Sequence, residues 1–270
     1  MRKGQSLAHI CYAHSEEIPV SRRTLYRYVT DGVLSAKVYN LPRRNFIKKR
    51  KKRGEKRVSA VVKAFLEGRR YSDFKRYIAE NPTVRVVQAD TVIGRIGGKA
   101  LLTLHFVDCS LMLGFLLERN TIAEVKKAFG LLKERLNGIA FSEIFPVILT
   151  DNGKEFNELV DLETDENGEI QTQAFYCDPY RSTQKAEIEN NHVLVRRILT
   201  KGMSFDKLEQ GEIDRVMTHI NAQKRAQYEG KSPREKFVEE YGEEVAKRLK
   251  IEKVEADEIM LKPELIKQRT

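Results

Sequence analysis

The sequence predicts an α/β domain built on a mixed sheet, preceded by a small all-helical module. Three observations carry that reading. From Val84 onward, runs of β-branched and apolar residues alternate with amphipathic stretches in the order β-β-β-α-β-β-α. One of these runs, "FPVILTDNGKEF", closes on Asp151 followed by an Asn152-Gly153 turn, so a carboxylate stands at the mouth of a buried strand. Before Val84 the apolar spacing is helical and leads into a dense basic run.

At the N-terminus, "SLAHICYAHSEEIPVSRRTLYRYVTDGVL" reads as helix, turn, helix. Leu7, Ile10 and Cys11 share one face of the first helix. Ser21 is the expected N-cap of the second, Leu25, Tyr28 and Val29 form its apolar side, and Asp31-Gly32 stops it. Arg22, Arg23, Thr24 and Arg27 then sit near the start of the second helix. There a helix-turn-helix presents groups to bases and phosphates.

The net charge of +10 has a location. Between Pro42 and Arg70 there are 13 Lys/Arg against two acids, which leaves 36 basic and 37 acidic residues in the rest of the chain. That segment therefore carries the whole imbalance, most of it in "RRNFIKKRKKRGEKR", with Arg43, Arg44, Lys48, Lys49 and Arg50 at its head. Such a run can be a solvated linker. Counterion release favours a nucleic-acid partner. The three cysteines (Cys11, Cys109, Cys177) are too few and too scattered for a disulfide framework or a zinc site. No apolar run is long enough to span a membrane and no signal-peptide core is present, so a cytoplasmic setting without membrane contact is expected.

In the α/β part, "VRVVQADTVIG" and "ALLTLHFVDCSLMLGFLL" supply three strands, with turns at Gly94–Gly98 and near Cys109-Ser110. Thr121 caps "TIAEVKKAFGLLKERLNG", whose Ile122, Val125, Phe129 and Leu132 face the core until Gly138. The strand to Asp151 follows, then "AFYCD", then a helix over about 184–199. The insert "DLETDENGEI" reads as a hairpin with an Asn167-Gly168 turn. It has Ala174 where a calcium loop needs Glu. The last dozen residues are expected to form a loosely ordered tail.

Three carboxylates are candidates for chemistry. Asp90 shares a strand face with Val86 and Val92 and points inward. Asp151 ends the fourth strand, where it could also simply open a turn. Glu189 lies on a helical stripe with Lys185, His192 and Arg196, where it could equally serve in helix salt bridges. Together, two acids on neighbouring strands and one on a facing helix could hold two divalent cations for phosphoryl transfer. Oxygen ligands select Mg²⁺ or Mn²⁺. Lys185, His192 and Arg196 are the expected DNA contacts beside them. His105 reads as a core or edge residue, and Cys177 as a buried strand cysteine.

The motifs "TDNGKEF" and "FYCDPY…E-N", with "ADTVIG" before them, resemble the catalytic core of bacterial insertion-sequence transposases of the IS-thirty type. The resemblance runs from about Ser21 to about Phe237. It implies an RNase H-like core with an Asp-Asp-Glu triad: Asp90 first, Asp151 second, Glu189 third. It also implies Mg²⁺-dependent cutting and joining of double-stranded DNA at element ends, self-association on that DNA, and residence at the nucleoid. The chain departs from the pattern at Gln88, where Glu is usual, and at "RSTQKA", which keeps Gln184 and a base at Lys185 but lacks Pro-Trp. Glu187 competes with Glu189, but Asn190 after Glu189 completes the Glu-Asn pairing. Such transposases usually carry a further helix-turn-helix, and this chain begins almost inside the second, so an N-terminally shortened form is expected.

The expected organisation is a helix-turn-helix module over 1–41, a basic linker over 42–80, a catalytic core over 81–241, and a C-terminal helix and tail over 242–270. A metal-dependent nuclease of the same fold, or a shortened non-catalytic DNA-binding regulator, are the alternative functions.

Overall fold

The computed structural model of the chain describes residues 1–41, 64–179 and 181–267. Arg43, Arg44, Lys48, Lys49, Arg50 and Tyr180 lie outside the described residues.

The N-terminal pair is α1 (Leu7–Ala13) and α2 (Arg22–Thr30). Both start on a serine cap: Ser6 Oγ accepts the His9 N–H and Ser21 Oγ accepts the Thr24 N–H. Gly32, at φ 76°, supplies the left-handed turn that leaves α2. Leu7, Val29 and Leu41 bury together in a small cluster of their own. Ile10 and Cys11, expected on the apolar face, are only half-buried.

The next helix, α3 (Tyr71–Glu80), stands inside the stretch expected as linker. Its Phe74 and Tyr77 rings pack on Phe175 at 5.6 and 5.4 Å, so this segment belongs physically to the sheet edge.

Five strands make one sheet: β1 (Val86–Ile93), β2 (Ala100–Phe106), β3 (Met112–Leu117), β4 (Val147–Thr150) and β5 (Gln173–Tyr176). Their order is β3-β2-β1-β4-β5. The first three pair antiparallel, while β4 joins β1 and β5 joins β4 in parallel. This is the RNase H-like mixed sheet that the resemblance implies. Between β3 and β4 run α4 (Ile122–Leu136) and α5 (Phe141–Ile144). α4 is capped by Thr121 as expected and buries Val125, Ala128, Phe129, Leu132 and Leu136.

After β5 come α6 (Ala186–Ile198), α7 (Gln210–Ala222), α8 (Pro233–Arg248) and α9 (Glu264–Lys267). The period-2 alternation of β1 divides the core. Val87 and Ala89 join the cluster under α4 and α8, whereas Val92 joins Ile188, Val195, Ile198 and Ile213 under α6 and α7. Helices thus cover both faces, as a sheet with buried parallel strands requires.

Two local expectations differ from the structure. α6 starts at Ala186, later than the periodicity suggested, because Lys185 has non-helical φ −128°, ψ 41° and closes a 3₁₀ turn. The end of the chain is packed through Ile266: Ile259, Leu261, Leu265 and Ile266 are buried against α6 and α7. That segment also docks the N-terminus. Leu261 N–H bonds Lys3 O at 2.8 Å, and Gln5 Nε2 donates to Ala256 O at 2.9 Å. No helix among the described residues is long and apolar enough to cross a membrane.

Candidate active site

The parallel register sets the geometry of the site. Gln88 of β1 pairs with Leu149 of β4, and two residues further along each strand stand Asp90 and Asp151. Asp151 therefore leaves the C-terminal end of β4, the edge where open α/β sheets present ligand-binding groups, and Asp90 stands beside it in mid-β1, just past the last β1–β4 pair. Asp151 also opens its turn, since its Oδ1 accepts the Gly153 N–H at 3.0 Å. The turn is fastened from beneath by Asn152 Nδ2, which donates to Cys177 O at 2.6 Å.

Lys185 supplies the counter-charge. It is 4% exposed, and its Nζ lies 3.4 Å from Asp90 Oδ2, 3.7 Å from Asp151 Oδ2 and 3.3 Å from Ala89 O. A single ammonium thus bridges two carboxylates from adjacent strands. Burial raises the Asp151 pKa, Lys185 opposes that shift, and the nearby Asp90 and Glu155 reinforce it. Glu155 was not singled out from sequence, although it lies inside "TDNGKEF". Its Oε1 accepts from Thr91 Oγ1 at 2.8 Å and from Asn120 Nδ2 at 3.0 Å.

His192 reaches the same edge from α6. Its Nε2 lies 2.8 Å from Thr103 Oγ1, whose hydroxyl donates to Asp90 O at 3.0 Å. The Thr103 proton is therefore spoken for, and His192 must donate from Nε2. Its Nδ1 then lies 3.9 Å from Asp90 Oδ2. Burial, with Lys185 and Arg196 nearby, pushes the His192 pKa down to about 4, so the ring is neutral at pH 7. Arg196 donates from Nη2 to Ile93 O at 2.8 Å. The stripe of Lys185, His192 and Arg196 turns inward onto β1 and β2, while Glu189 is exposed on α6. Glu187 is the partner of Gln88: Gln88 Nε2 donates to its Oε2 at 2.8 Å, and Gln88 Oε1 accepts the Ile188 N–H at 3.0 Å.

Among the described residues, no three His, Cys, Asp or Glu side chains converge in a group that could hold a metal ion. The other candidates have structural surroundings. His105 is buried against Asn191 Nδ2 at 2.9 Å, with its pKa pulled down to about 3 by burial. Burial pushes the Cys177 thiol up to about 12, which leaves no thiolate for nucleophilic work. On α2, Arg22, Arg23 and Arg27 are exposed, and Thr24 is half-buried with its hydroxyl 3.0 Å from Ser21 Oγ.

No family model matches the chain. An ORF3 product of Spiroplasma virus SpV1-R8A2 B, named as an integrase, is 28% identical over 228 residues, 83% of this chain and 65% of its own length. The transposase for insertion sequence element IS4351 of Bacteroides fragilis is 26% identical over 221 residues, covering 81% of this chain and 64% of that protein. A Streptococcus salivarius chain, named as a transposase for insertion-like sequence element IS1161, is 26% identical over 226 residues, covering 78% and 57%. The chain spans less than two thirds of the length of these curated relatives. Among solved structures, it aligns with a chain of the simian T-cell lymphotropic virus intasome in complex with PP2A regulatory subunit B56 gamma. That alignment has TM-score 0.40 and 14% identity, over 56% of this chain and 52% of the other. The catalytic core domain of BIV integrase aligns with TM-score 0.36 and 16% identity, over 57% and 93%. The chain is thus similar in sequence to transposases and integrases over most of its length.

Proposed function

We propose that the protein is a DNA transposase of the IS-thirty type, cutting and joining DNA strands at the ends of an insertion sequence. The observation that carries this reading is the pairing of Asp90 and Asp151 around one positive charge where β4 ends beside β1. The similarity to transposases and integrases supports the same reading.

The donor set fits a hard divalent cation: two carboxylates that already face a shared cation, with only oxygen donors. Asp90 and Asp151 would hold Mg²⁺ or Mn²⁺, with Glu189 as the third acid from α6. The two-ion form of the reading rests on the resemblance. Bound there, the metal would polarise the scissile phosphate and the attacking oxygen. The protein's own groups do the rest. Lys185 holds the two carboxylates together by offsetting their repulsion, which keeps their spacing fixed before DNA arrives. His192, neutral and fixed by Thr103, closes the inner side of the site against β2. Water, and then a DNA 3′-hydroxyl, would attack phosphorus in line, with no covalent intermediate on the protein.

Duplex DNA would be held by Arg22, Arg23, Thr24 and Arg27 on α2 and by Arg43, Arg44, Lys48, Lys49 and Arg50 in the basic run. Lys185, His192 and Arg196 would stand closest to the reacting strand. Two ends must be brought together, so a dimer or larger assembly on DNA is part of the reading.

The test is a strand-transfer assay. A labelled duplex carrying the element's terminal repeat is incubated with Mg²⁺, supercoiled target plasmid, and wild type or Asp151→Asn. Joined products from wild type alone are the expected result. Cleavage without joining would replace the reading with a nuclease, and binding with no cleavage by either protein would replace it with a DNA-binding regulator.

A further inference from the structure

On the side of α6 away from the acids, a half-open cavity of about 820 Å³ lies between the N-terminal helices and the core. Its walls include Tyr26 of α2, Glu187, Asn190 and Arg197 of α6, and Lys224 and Arg225 just after α7. Three cations thus meet one carboxylate, and the Glu187 carboxylate is already engaged by Gln88.

Arg225 is the informative residue. Its Nε and Nη2 are buried and have no hydrogen-bond partner among the described residues. Burial draws its pKa down to about 10, and the groups that oppose the shift are the phenol of Tyr228 and the thiol of Cys109, not a carboxylate. The guanidinium remains charged at neutral pH, so the cavity wall carries a positive charge that no carboxylate among the described residues pairs. A charge in that state costs several kcal/mol unless something pairs with it. Lys224 contrasts with it: its Nζ lies 3.5 Å from Glu235 Oε1 and donates to Gly230 O at 3.1 Å.

We propose that this cavity binds a phosphate-bearing nucleotide unit, with the phosphate on Arg225 and the Tyr26 ring and Asn190 amide available to the base. The volume falls within the range of small-ligand sites. A guanidinium fork matches phosphate oxygens bidentately. Aromatic rings and amides are the groups that stack on and read an unpaired base. Two sources share this chemistry. One is a nucleotide of a DNA strand crossing α6 from the acids, which rests on the transposase reading. The other is a free nucleotide, which does not. α6 is the common wall, since Lys185, His192 and Arg196 face β1 and β2 while Glu187, Asn190 and Arg197 face the cavity.

The test uses the whole chain in EDTA, which keeps phosphate from being held through metal at the acids. Binding of a fluorescent deoxynucleoside monophosphate is measured for wild type, Arg225→Gln and Arg225→Lys, and each unliganded protein is melted. The expected result is saturable binding by wild type, weakened about tenfold or more in Arg225→Gln and to a lesser degree in Arg225→Lys. The unliganded Arg225→Gln protein is expected to melt no lower than wild type, because it loses an uncompensated charge. No binding by wild type, or equal binding by Arg225→Gln, overturns the proposal. So does a lower melting point in Arg225→Gln with unchanged nucleotide affinity in Arg225→Lys, the pattern of a purely structural arginine. A single-stranded oligonucleotide that displaces the nucleotide assigns the site to DNA. One that binds without displacing it assigns the site to a free nucleotide and leaves the transposase reading untouched.

Discussion

Lys185 Nζ stands 3.4 Å from Asp90 Oδ2, and the same ammonium is 3.7 Å from Asp151 Oδ2. Removing it would leave two carboxylates facing each other between β1 and the end of β4. Lys185→Gln is therefore expected to lose about 1–3 kcal/mol of stability in EDTA, less than a fully buried pair because Asp151 is half exposed. Mg²⁺ should restore part of that loss by taking up the vacant counter-charge. Urea denaturation with and without Mg²⁺ checks both statements; equal stability of the two proteins in EDTA would show that Lys185 is not the clamp.

Asp151→Asn separates activity from stability. Burial and neighbouring acids raise the Asp151 pKa, so its ionised form is strained in the folded chain. The amide is expected to abolish strand transfer and to melt at or above the wild-type temperature. A markedly lower melting temperature would assign Asp151 to its turn alone.

Glu187 and Glu189 can be told apart by substitution. Glu187 is tied to the Gln88 amide, so Glu187→Gln is expected to retain most activity and Glu189→Gln to lose it by about a hundredfold or more. Single-turnover cleavage of a pre-nicked substrate measures the difference. The reverse order would move the third acid to Glu187.

Gln88 explains its own departure from the family pattern. The side chain is 4% exposed and gives one hydrogen bond to Glu187 while taking one from Ile188 N–H. Gln88→Glu would set two carboxylates together and should cost about 2–3 kcal/mol. The double variant Gln88→Glu/Glu187→Gln should recover most of it, and a double-mutant cycle by urea denaturation gives the coupling.

Four histidines set the acid limit of the fold. The pKa of His105 falls to about 3 and that of His192 to about 4, and those of His9 and His219 are lowered too, with burial the largest cause in each. His9 and His219 must also stay unprotonated at Nδ1 to accept the Lys224 and Met260 N–H groups. The unfolded chain binds protons on these residues below about pH 6.5, and the folded chain resists doing so. Stability is therefore full above that pH and falls as pH drops toward the folded values, by about 1.4 kcal/mol per unit for each deeply shifted ring. Asp151 works in the opposite sense but is one group. Unfolding free energies from urea titrations at pH 7.5 and pH 5.5 should differ by about 3 kcal/mol, and equal values would contradict the buried, neutral assignment.

The strands and the α4 cap were legible because their signals are local: β-branched runs, a threonine before an amphipathic stretch, glycines at turns. The neighbouring places of Asp90 in β1 and of Asp151 just after β4 were legible for the same reason. The surroundings of the acids were not. Lys185 counts as a polar residue in any periodicity, yet its long stem carries the ammonium inward. Thr103 and Glu155 act through contacts across the sheet that no spacing along the chain records. The packed segment at 259–266 was missed because its five apolar residues, interrupted by Lys262, Pro263 and Glu264, show neither a helical nor a strand period.

The strand order has a consequence for how the chain assembles. Asp90 belongs to the β1–β2–β3 meander, where Thr103 bonds it from 13 residues away. The bond from Thr150 that fastens β4 to β1 spans 61 residues, and the one from Lys185 to Ala89 spans 96. Short closures cost less entropy and form sooner. The meander is thus expected to form before β4 docks, and the acids meet only at that docking. Until then the growing sheet carries no electrostatic penalty; the step that imposes it is the one that completes the fold, so slow, salt-sensitive final docking would be the kinetic signature of a site assembled from distant parts of the chain.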